Sequence, residues 1–262
     1  MIVNLQAKGY GIDEARARIC QDIILNAISS STLSKNMTIK GGVVMRSITN
    51  DLRRTTQDVD IDFIHYSLSD NSIEYFIRKL NCIEGITISR IGRIDELSQQ
   101  DYNGKRVYIR ITDNYNNIID SKMDLGVHKY LEIEQEEYCF DIAFNDEGAS
   151  LLINTKEQMF VEKLRSLLKF GVFSTRYKDI YDMYYLCDKI NIKKLYDCIY
   201  IFIIKDLEMR EDSITEIIKR VDKIFKDNVY KNRVDKSDKR WLDDNIADIF
   251  KRILECLSTM GE

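Results

Sequence analysis

The chain has 262 residues, of which 44% are apolar and 31% are charged, and its formal net charge is −4. This composition supports a folded core and excludes a disordered or collagen-like chain. The longest apolar run, 199–204, is far shorter than the roughly 18 residues of a membrane span, and the charged amino-terminal stretch does not resemble a signal peptide. We therefore expect a cytoplasmic protein of one or two domains, with no membrane contact. Its six cysteines include no C-x-x-C pair and are expected to be reduced.

The chain has no proline, so its elements must be predicted from glycines, polar clusters and changes in hydrophobic period. The pattern predicts, in order, a helix at 13–30 capped by Asp13, a strand at 37–39, a short helix after Gly41-Gly42, a strand at 58–63 and a helix at 72–82. Strands are predicted at 86–94, 106–112, 118–128 and 138–143, and helices at 155–170, 176–189, 192–209, 213–229 and 241–257. These elements indicate an α/β domain at 1–154 and an all-helical domain at 155–262.

The predicted strand at 58–63 has an acidic face. Its two-residue period places Asp58, Asp60 and Asp62 on one side and apolar residues on the other. Like charges at this spacing repel each other, and oxygen ligands of this kind suit Mg²⁺ or Mn²⁺ in phosphoryl transfer. A strand with one solvated face is the alternative interpretation of the same pattern.

A second feature precedes this strand. Gly41-Gly42 lies at a predicted helix start, where free backbone N–H groups can bind a phosphate and glycine permits its close approach. A plain tight turn is the alternative. The signal for a phosphate and metal site is more specific when the features occur together. In chain order they are a strand, Gly-Gly, a short helix, Arg54, Thr56 and an Asp-x-Asp strand.

These residues resemble a known family. The stretch K-G-G-V-V-M-R at 40–46 and the stretch R-T-T-Q-D-V-D at 54–60 are similar to the first signature of the AbiEii/AbiGii nucleotidyltransferase toxins. That signature reads roughly K-G-G-x-x-L-R and then R-x-S-x-D-L-D. The stretches E-K-L-R at 162–165 and R-Y-K-D-I-Y-D at 176–182 resemble the later blocks of the same family. Together the matches extend over about residues 39–186.

The resemblance implies a fold and a set of site residues. The fold would be α+β, with a DNA polymerase beta-like nucleotidyltransferase domain on a mixed sheet, followed by an all-helical domain that completes the nucleotide cleft. Asp58, Asp60 and a third carboxylate would bind the metal, and Lys163 would contact the triphosphate. The implied nucleotide-binding residues are Lys40, Gly41, Gly42, Arg46, Arg54, Thr56, Lys178, Asp179 and Asp182.

Several of these assignments have alternatives. Asp124 is the preferred third carboxylate, but Asp120 lies on the same strand face. Without the resemblance, Lys163 would be interpreted as an exposed helix lysine. Arg46 and Arg54 either contact phosphate or brace the acidic strand. The last group, Lys178, Asp179 and Asp182, either acts near the nucleotide or positions Lys163, or else forms structural salt bridges. Thr56 replaces the usual serine of the pattern, and Gly42 replaces a serine that is common in the wider superfamily.

The acceptor is predicted from a basic segment. Residues 219–240 contain nine Lys or Arg and four Asp, with Tyr230 and Trp241 as candidate stacking groups. Such a segment can bind a nucleic-acid backbone, although a solvated helix surface is the usual alternative.

Together, these features predict a metal-dependent nucleotidyltransferase toxin of a bacterial toxin–antitoxin or abortive-infection system. It would transfer NMP from NTP to RNA, with tRNA as one candidate, and would be restrained by a cognate antitoxin. The alternatives are transfer to a protein or small-molecule hydroxyl, and a nucleotide-binding protein without turnover.

Overall fold

The computed structural model describes residues 1–97, 104–130 and 132–260. Contacts within the chain divide it into two compact units, Met1–Asn154 and Thr155–Glu262. In the described ranges, no helix is both long and apolar enough to cross a membrane.

The first unit is a mixed sheet with helices packed against it. Its helices are α1 (Ile2–Ala7), α2 (Ile12–Ser30), α3 (Gly41–Thr49) and α4 (Asp70–Lys79). Its strands are β1 (Met37–Lys40), β2 (Val59–Phe63), β3 (Ile86–Leu97), β4 (Gly104–Asp113), β5 (Ile118–Val127), β6 (Glu136–Ile142) and β7 (Asn145–Ile153). They form one sheet in the order β3-β4-β5-β2-β1-β7-β6. The β2–β5 and β1–β7 pairs are parallel, and the other pairs are antiparallel.

The alternation in β2 sets the orientation of the sheet. Val59, Ile61 and Phe63 are fully buried, and Phe63 packs edge-on against Phe76 of α4 with ring centroids 5.3 Å apart. Burying a side chain of this size contributes about 1.5–3 kcal/mol to folding. The intervening aspartates must therefore lie on the opposite face, and this face carries the candidate site.

The second unit consists of helices. They are α5 (Lys156–Phe170), α6 (Tyr177–Leu186), α7 (Ile192–Ile199), α8 (Ile214–Phe225), α9 (Asn228–Asp235) and α10 (Ile246–Ser258). A 3₁₀ turn at Gly171–Phe173 links α5 to α6, and a π-helical segment at Tyr200–Ile204 extends α7. Thr155 and Ser213 cap α5 and α8 by accepting a hydrogen bond from the backbone N–H three residues later.

Several element predictions were incomplete. Strand β7 was missed, and α2 begins after Gly11, whose N–H donates to Glu14 Oε2 at 3.0 Å, rather than being capped by Asp13. The predicted helix at 213–229 is two helices, because Asp227 starts α9 by accepting from Tyr230 N at 2.7 Å. The last helix begins at Ile246, so Trp241 lies outside it.

Candidate functional site

A row of four charged residues crosses the sheet on its acidic face. The strand register aligns Lys40 with Asp60, Asp60 with Asp124, and Asp124 with Arg106. Neighbouring strands are about 4.8 Å apart, so each residue lies beside the next. Lys40 and Arg106 stand at the two ends of the row, and the two like-charged aspartates lie side by side at its centre. Asp58 precedes Asp60 by two residues and therefore belongs to the same face.

The outer aspartates of this strand are paired with lysines. Lys40 Nζ lies 2.8 Å from Asp62 Oδ1, and Asp62 is only 2% exposed. Lys122 Nζ lies 3.2 Å from Asp58 Oδ1. Asp62 is therefore held in a buried ion pair, whereas the Asp58 side chain remains 28% exposed beside Lys122.

The two candidates for the third carboxylate have different surroundings. Asp124 is beside Asp60, and its side chain is 9% exposed. Arg106 binds it through Nε and Nη2, each 2.7 Å from a carboxylate oxygen. Asp120 lies on the part of β5 that β2 does not reach, is 47% exposed, and is bound by Arg110 at 2.8 Å. The geometry therefore favours Asp124 as the partner of Asp60.

The Gly-Gly pair begins α3 and lies against the side chains of Asp60 and Thr56. Gly41 has a φ of +65°, and a Cβ built on it would be 2.3 Å from Asp60 Oδ2. A Cβ on Gly42 would be 2.3 Å from Thr56 Oγ1. Side chains at both positions are thus excluded by Asp60 and Thr56. The amino end of α3 therefore packs directly against Asp60 and Thr56. The first N–H groups of a helix have no acceptor within the helix, and such an end favours an anion.

Arg46 is buried away from this surface. It is 5% exposed, and it donates from Nη1 to Gln21 Oε1 at 2.6 Å and from Nη2 to Asp22 Oδ1 at 3.5 Å. Burial and the nearby Arg18 lower the pKa of Arg46 to about 10, although Asp22 opposes this shift. Gln21 Nε2 in turn donates to the Thr56 carbonyl at 2.8 Å. Of the two roles considered for Arg46, this network favours bracing the segment before β2.

Arg54 is also buried, at 3% exposure, and donates to the Thr55 carbonyl at 3.0 Å. This contact again holds the segment that leads into β2. Of the two roles considered for Arg54, it favours bracing over phosphate contact.

The donor set of the row fits a divalent cation. Asp60 and Asp124 are adjacent, and Asp58, on the same face, has its Oδ1 3.2 Å from Lys122 Nζ. Within the same residues, no three His, Cys, Asp or Glu side chains are close enough to hold a metal ion together. Mg²⁺ is commonly held by one or two carboxylates together with substrate phosphates and water, which the adjacent aspartates can satisfy.

The second unit contains a separate cluster around Lys163 of α5. Its ammonium group lies 3.1 Å from Asp179 Oδ1 and 2.8 Å from Asp182 Oδ2 of α6. Arg176 Nε donates to Asp179 Oδ2 at 2.6 Å, and Trp241 Nε1 donates to Asp182 Oδ1 at 3.2 Å. The Lys163 side chain is only 8% exposed, so it is not a solvated surface lysine. The two aspartates form ion pairs with it, and this geometry fits both the positioning of Lys163 and the structural salt bridges considered for them.

The charges in this cluster are strongly coupled. Burial by itself would raise the pKa of Asp179, but Lys163 and Arg176 together lower it to about 2. Asp179 is therefore ionised at neutral pH. Lys178, which lies between Arg176 and Asp179 in the sequence, is half-buried and lies near Asp238.

The proposed stacking aromatics are not available. Tyr230 and Trp241 are each only 1% exposed. Tyr230 packs on Phe250 with ring centroids 6.4 Å apart, and Trp241 is fixed to Asp182. The prediction that these two rings stack on bases is therefore wrong, because their apolar area forms the helical core.

A family model described as the nucleotidyl transferase AbiEii toxin of type IV toxin–antitoxin systems matches residues 23–255. The chain belongs to the AbiEii family. The resemblance drawn from the sequence motifs is thereby confirmed. The predicted α+β class, a nucleotidyltransferase half with a mixed sheet followed by a helical half, is confirmed as well.

Two solved structures are similar to this AbiEii chain. One is an antigenic nucleotidyltransferase-like protein from Paracoccidioides brasiliensis, with 14% identity, a TM-score of 0.40, and coverage of 66% of this chain and 76% of the other. The other is the antibiotic-resistance factor ANT(2'')-Ia, with 13% identity, a TM-score of 0.43, and coverage of 71% and 92%. No curated protein matches the sequence.

The AbiEii motifs did not identify the cations around the aspartates. Arg106 and Lys122 were not predicted as site residues, yet they contact Asp124 and Asp58. The hairpin turn at 113–117 carried a usable signal, because counting outward from it in antiparallel register pairs Arg106 with Asp124. Gln21 and Asp22, which bind Arg46, are distant in sequence and gave no local signal.

Proposed function

We propose that this AbiEii family member is a metal-dependent nucleotidyltransferase that transfers NMP from an NTP to an RNA hydroxyl in the cytoplasm. The observation that carries the proposal is the adjacent pair Asp60 and Asp124, with Asp58 on the same face and the amino end of α3 against Asp60. Family membership supports nucleotidyl transfer in general. The metal, the acceptor and the biological role are the proposed parts.

In this reaction, the adjacent Asp60 and Asp124 would hold Mg²⁺ or Mn²⁺ together with the substrate phosphates, and Asp58, on the same face, would join them once Lys122 releases it. The bound metal would supply positive charge to the phosphate oxygens. The acceptor hydroxyl attacks the α-phosphorus, a new O–P bond forms, the bond to the β-phosphate bridging oxygen breaks, and pyrophosphate leaves. Asp124 accepts the hydroxyl proton. Arg106 occupies both oxygens of Asp124, so it must release at least one of them before Asp124 can accept the proton.

The remaining predicted residues have supporting roles in the proposal. Gly41 and Gly42 begin α3, and the first N–H groups of this helix would bind the β- and γ-phosphates. Arg46 and Arg54 position the segment that carries Thr56. Lys163, held by Asp179 and Asp182, supplies a positive charge to the triphosphate, a role that rests on the sequence resemblance. Lys40 neutralises Asp62.

The identity of the acceptor is tested by measuring which class of molecule receives the labelled NMP. The protein is incubated with each α-labelled NTP, Mg²⁺ or Mn²⁺, and total cellular RNA and protein, beside an Asp58→Ala, Asp60→Ala variant. We expect label in RNA. Label in protein would instead support the rival acceptor, and no label above the variant with any nucleotide would reject both transferase readings.

The toxin role has its own test. Type IV toxin–antitoxin membership implies a cognate antitoxin, and we propose that it restrains this chain. Expression alone should slow bacterial growth, and the double alanine variant should not. Equal, unimpaired growth with both proteins would contradict the toxin role even if transfer is observed in vitro.

A further inference from the structure

The turn between α5 and α6 exposes two phenylalanines. Phe173 is 81% exposed and Phe170 is 51% exposed, on either side of Gly171 and Val172. The turn contacts α8, so these rings lie on a packed part of the second unit. Exposed aromatic rings this close together usually mark a binding surface.

Arg220 of α8 lies next to this turn without an anionic partner. Its Nη2 would be 3.4 Å from a Cβ built on Gly171. Its Nε is buried and has no hydrogen-bond acceptor, and no acidic group among the described residues forms an ion pair with it. The half-buried side chain thus carries a positive charge with no anionic partner in the described chain, and a phosphate supplies the acceptor oxygens that a guanidinium binds best.

The charges around the turn are mostly positive. Lys223 follows Arg220 by one helical turn and is exposed without an ion-pair partner in the described chain. Arg176, whose side chain is 64% exposed, begins α6 and binds the Asp179 that is paired with Lys163. Two glutamates of this unit already have partners: Glu216 Oε2 accepts from Asp212 N at 3.3 Å, and Glu208 Oε2 lies 3.3 Å from Lys169 Nζ.

We propose that the α5–α6 turn and α8 form a docking surface for single-stranded RNA. Phe170 and Phe173 stack on bases, and Arg220 binds a backbone phosphate. The inference rests on the proposed RNA acceptor and supplies the stacking groups that Tyr230 and Trp241 cannot. Single-stranded rather than duplex RNA is indicated because only unpaired bases offer open faces to aromatic rings.

The test measures binding without NTP, so that it is independent of transfer. Fluorescence anisotropy compares a labelled single-stranded oligoribonucleotide with a hairpin of the same composition. The variants are Phe173→Ser, Phe170→Ser and Arg220→Gln. Lys193→Gln, which removes an exposed lysine from α7, is the control for loss of charge. Thermal melting checks that each variant is folded.

We expect Phe173→Ser to weaken single-strand binding roughly five- to 100-fold, the range for loss of one stacked base. Arg220→Gln should weaken binding and reduce the slope of log K against log salt by about 1. Lys193→Gln should bind as wild type does. Unchanged affinity in all three test variants, equal weakening by Lys193→Gln, or a preference for the hairpin would overturn the inference.

Two outcomes separate this inference from the proposed function. RNA labelling by a protein whose Phe173→Ser and Arg220→Gln variants bind RNA normally would leave the transferase and remove this surface. Selective binding of single-stranded RNA without any NMP transfer would support this surface and reject the proposed transferase activity. Self-association that Phe173→Ser abolishes, with RNA affinity unchanged, would show that the patch is a protein contact.

Discussion

Gly42 and Thr56 share a space that holds only one side chain. Thr56 Oγ1 and Cβ would lie 2.3 Å and 2.6 Å from a Cβ on Gly42. Serine is usual at the position of Thr56 in the family pattern and common at the position of Gly42 in the superfamily. Gly42 itself matches the K-G-G of the family signature, and a serine at position 56 would carry the same Cβ and hydroxyl oxygen. A hydroxyl residue at position 56 is therefore physically linked to glycine at position 42, because its side chain occupies the volume that a side chain there would need.

A double-mutant cycle tests this link. Gly42→Ala should lower the free energy of unfolding by about 1–3 kcal/mol, the usual effect of overpacking. Thr56→Gly, which removes both close atoms, should make the added methyl group less damaging. Urea denaturation of the two single variants and the double variant gives the coupling energy. Purely additive effects would show that the two side chains do not compete for space.

Asp179 makes stability depend on pH. Its folded-state pKa of about 2 is below the ordinary 3.8, so its ion pairs stabilise the fold above about pH 4. That contribution, about 2 kcal/mol, is lost as the pH falls toward 2. Asp179→Asn should lack this part of the acid sensitivity, as measured by denaturation of both proteins between pH 5 and pH 3. Parallel stability curves would contradict the assigned pKa.

At the scale of elements, strands β4 and β5 carry two similar arginine–aspartate pairs. Arg106 binds Asp124 at the candidate site, and Arg110 binds Asp120 further along the ladder. Only the first pair lies beside Asp60. The Arg110–Asp120 pair is therefore a matched control for the Arg106–Asp124 pair at the candidate site.

Removal of Arg106 should strengthen metal binding. Two unit charges about 4 Å apart interact by about 1 kcal/mol in water and about 4 kcal/mol near a protein surface, so Arg106→Gln should tighten Mn²⁺ binding by about fivefold or more. Arg110→Gln should leave it unchanged. Titration calorimetry or the electron paramagnetic resonance signal of free Mn²⁺ measures both. Equal affinities for the two variants would mean that Arg106 does not compete with the cation.

Local sequence pattern was sufficient for some elements and insufficient for others. Strand β2 was predictable because strict alternation separates its aspartates from Val59, Ile61 and Phe63. Strand β7 was missed because Asn145–Ile153 begins with polar residues and contains Gly148 at a φ of +72°, so the alternation is weak. The break between α8 and α9 has neither glycine nor proline, and only the Asp227 cap marks it.

The candidate site was predictable only in part. The aspartates and glycines lie in short motifs, but the choice between Asp120 and Asp124 depends on how far β2 extends along β5. The burial of Tyr230 and Trp241 depends on packing between helices that are far apart in sequence. Neither the extent of strand pairing nor the burial of these rings can be predicted from the hydrophobic pattern of a short segment.

At the scale of the whole molecule, charge is unevenly divided. Residues 1–154 contain 17 basic and 23 acidic residues, whereas residues 155–262 contain 22 and 20. Part of the acidity of the first unit is the set of aspartates proposed to bind cations. The overall charge of −4 is thus compatible with an RNA partner, because the basic excess and the exposed phenylalanines belong to the second unit.

The central claim is that Asp60 and Asp124 together carry nucleotidyl transfer, and the rate of NMP transfer from labelled NTP by matched aspartate variants tests it most directly. Asp60→Asn and Asp124→Asn should each reduce this rate by about 100-fold or more, since each removes a metal ligand or the proton acceptor. Asp120→Asn, on the same strand and likewise bound by an arginine, should retain the wild-type rate. Wild-type transfer by Asp60→Asn or Asp124→Asn, or loss of transfer in Asp120→Asn alone, would contradict the account.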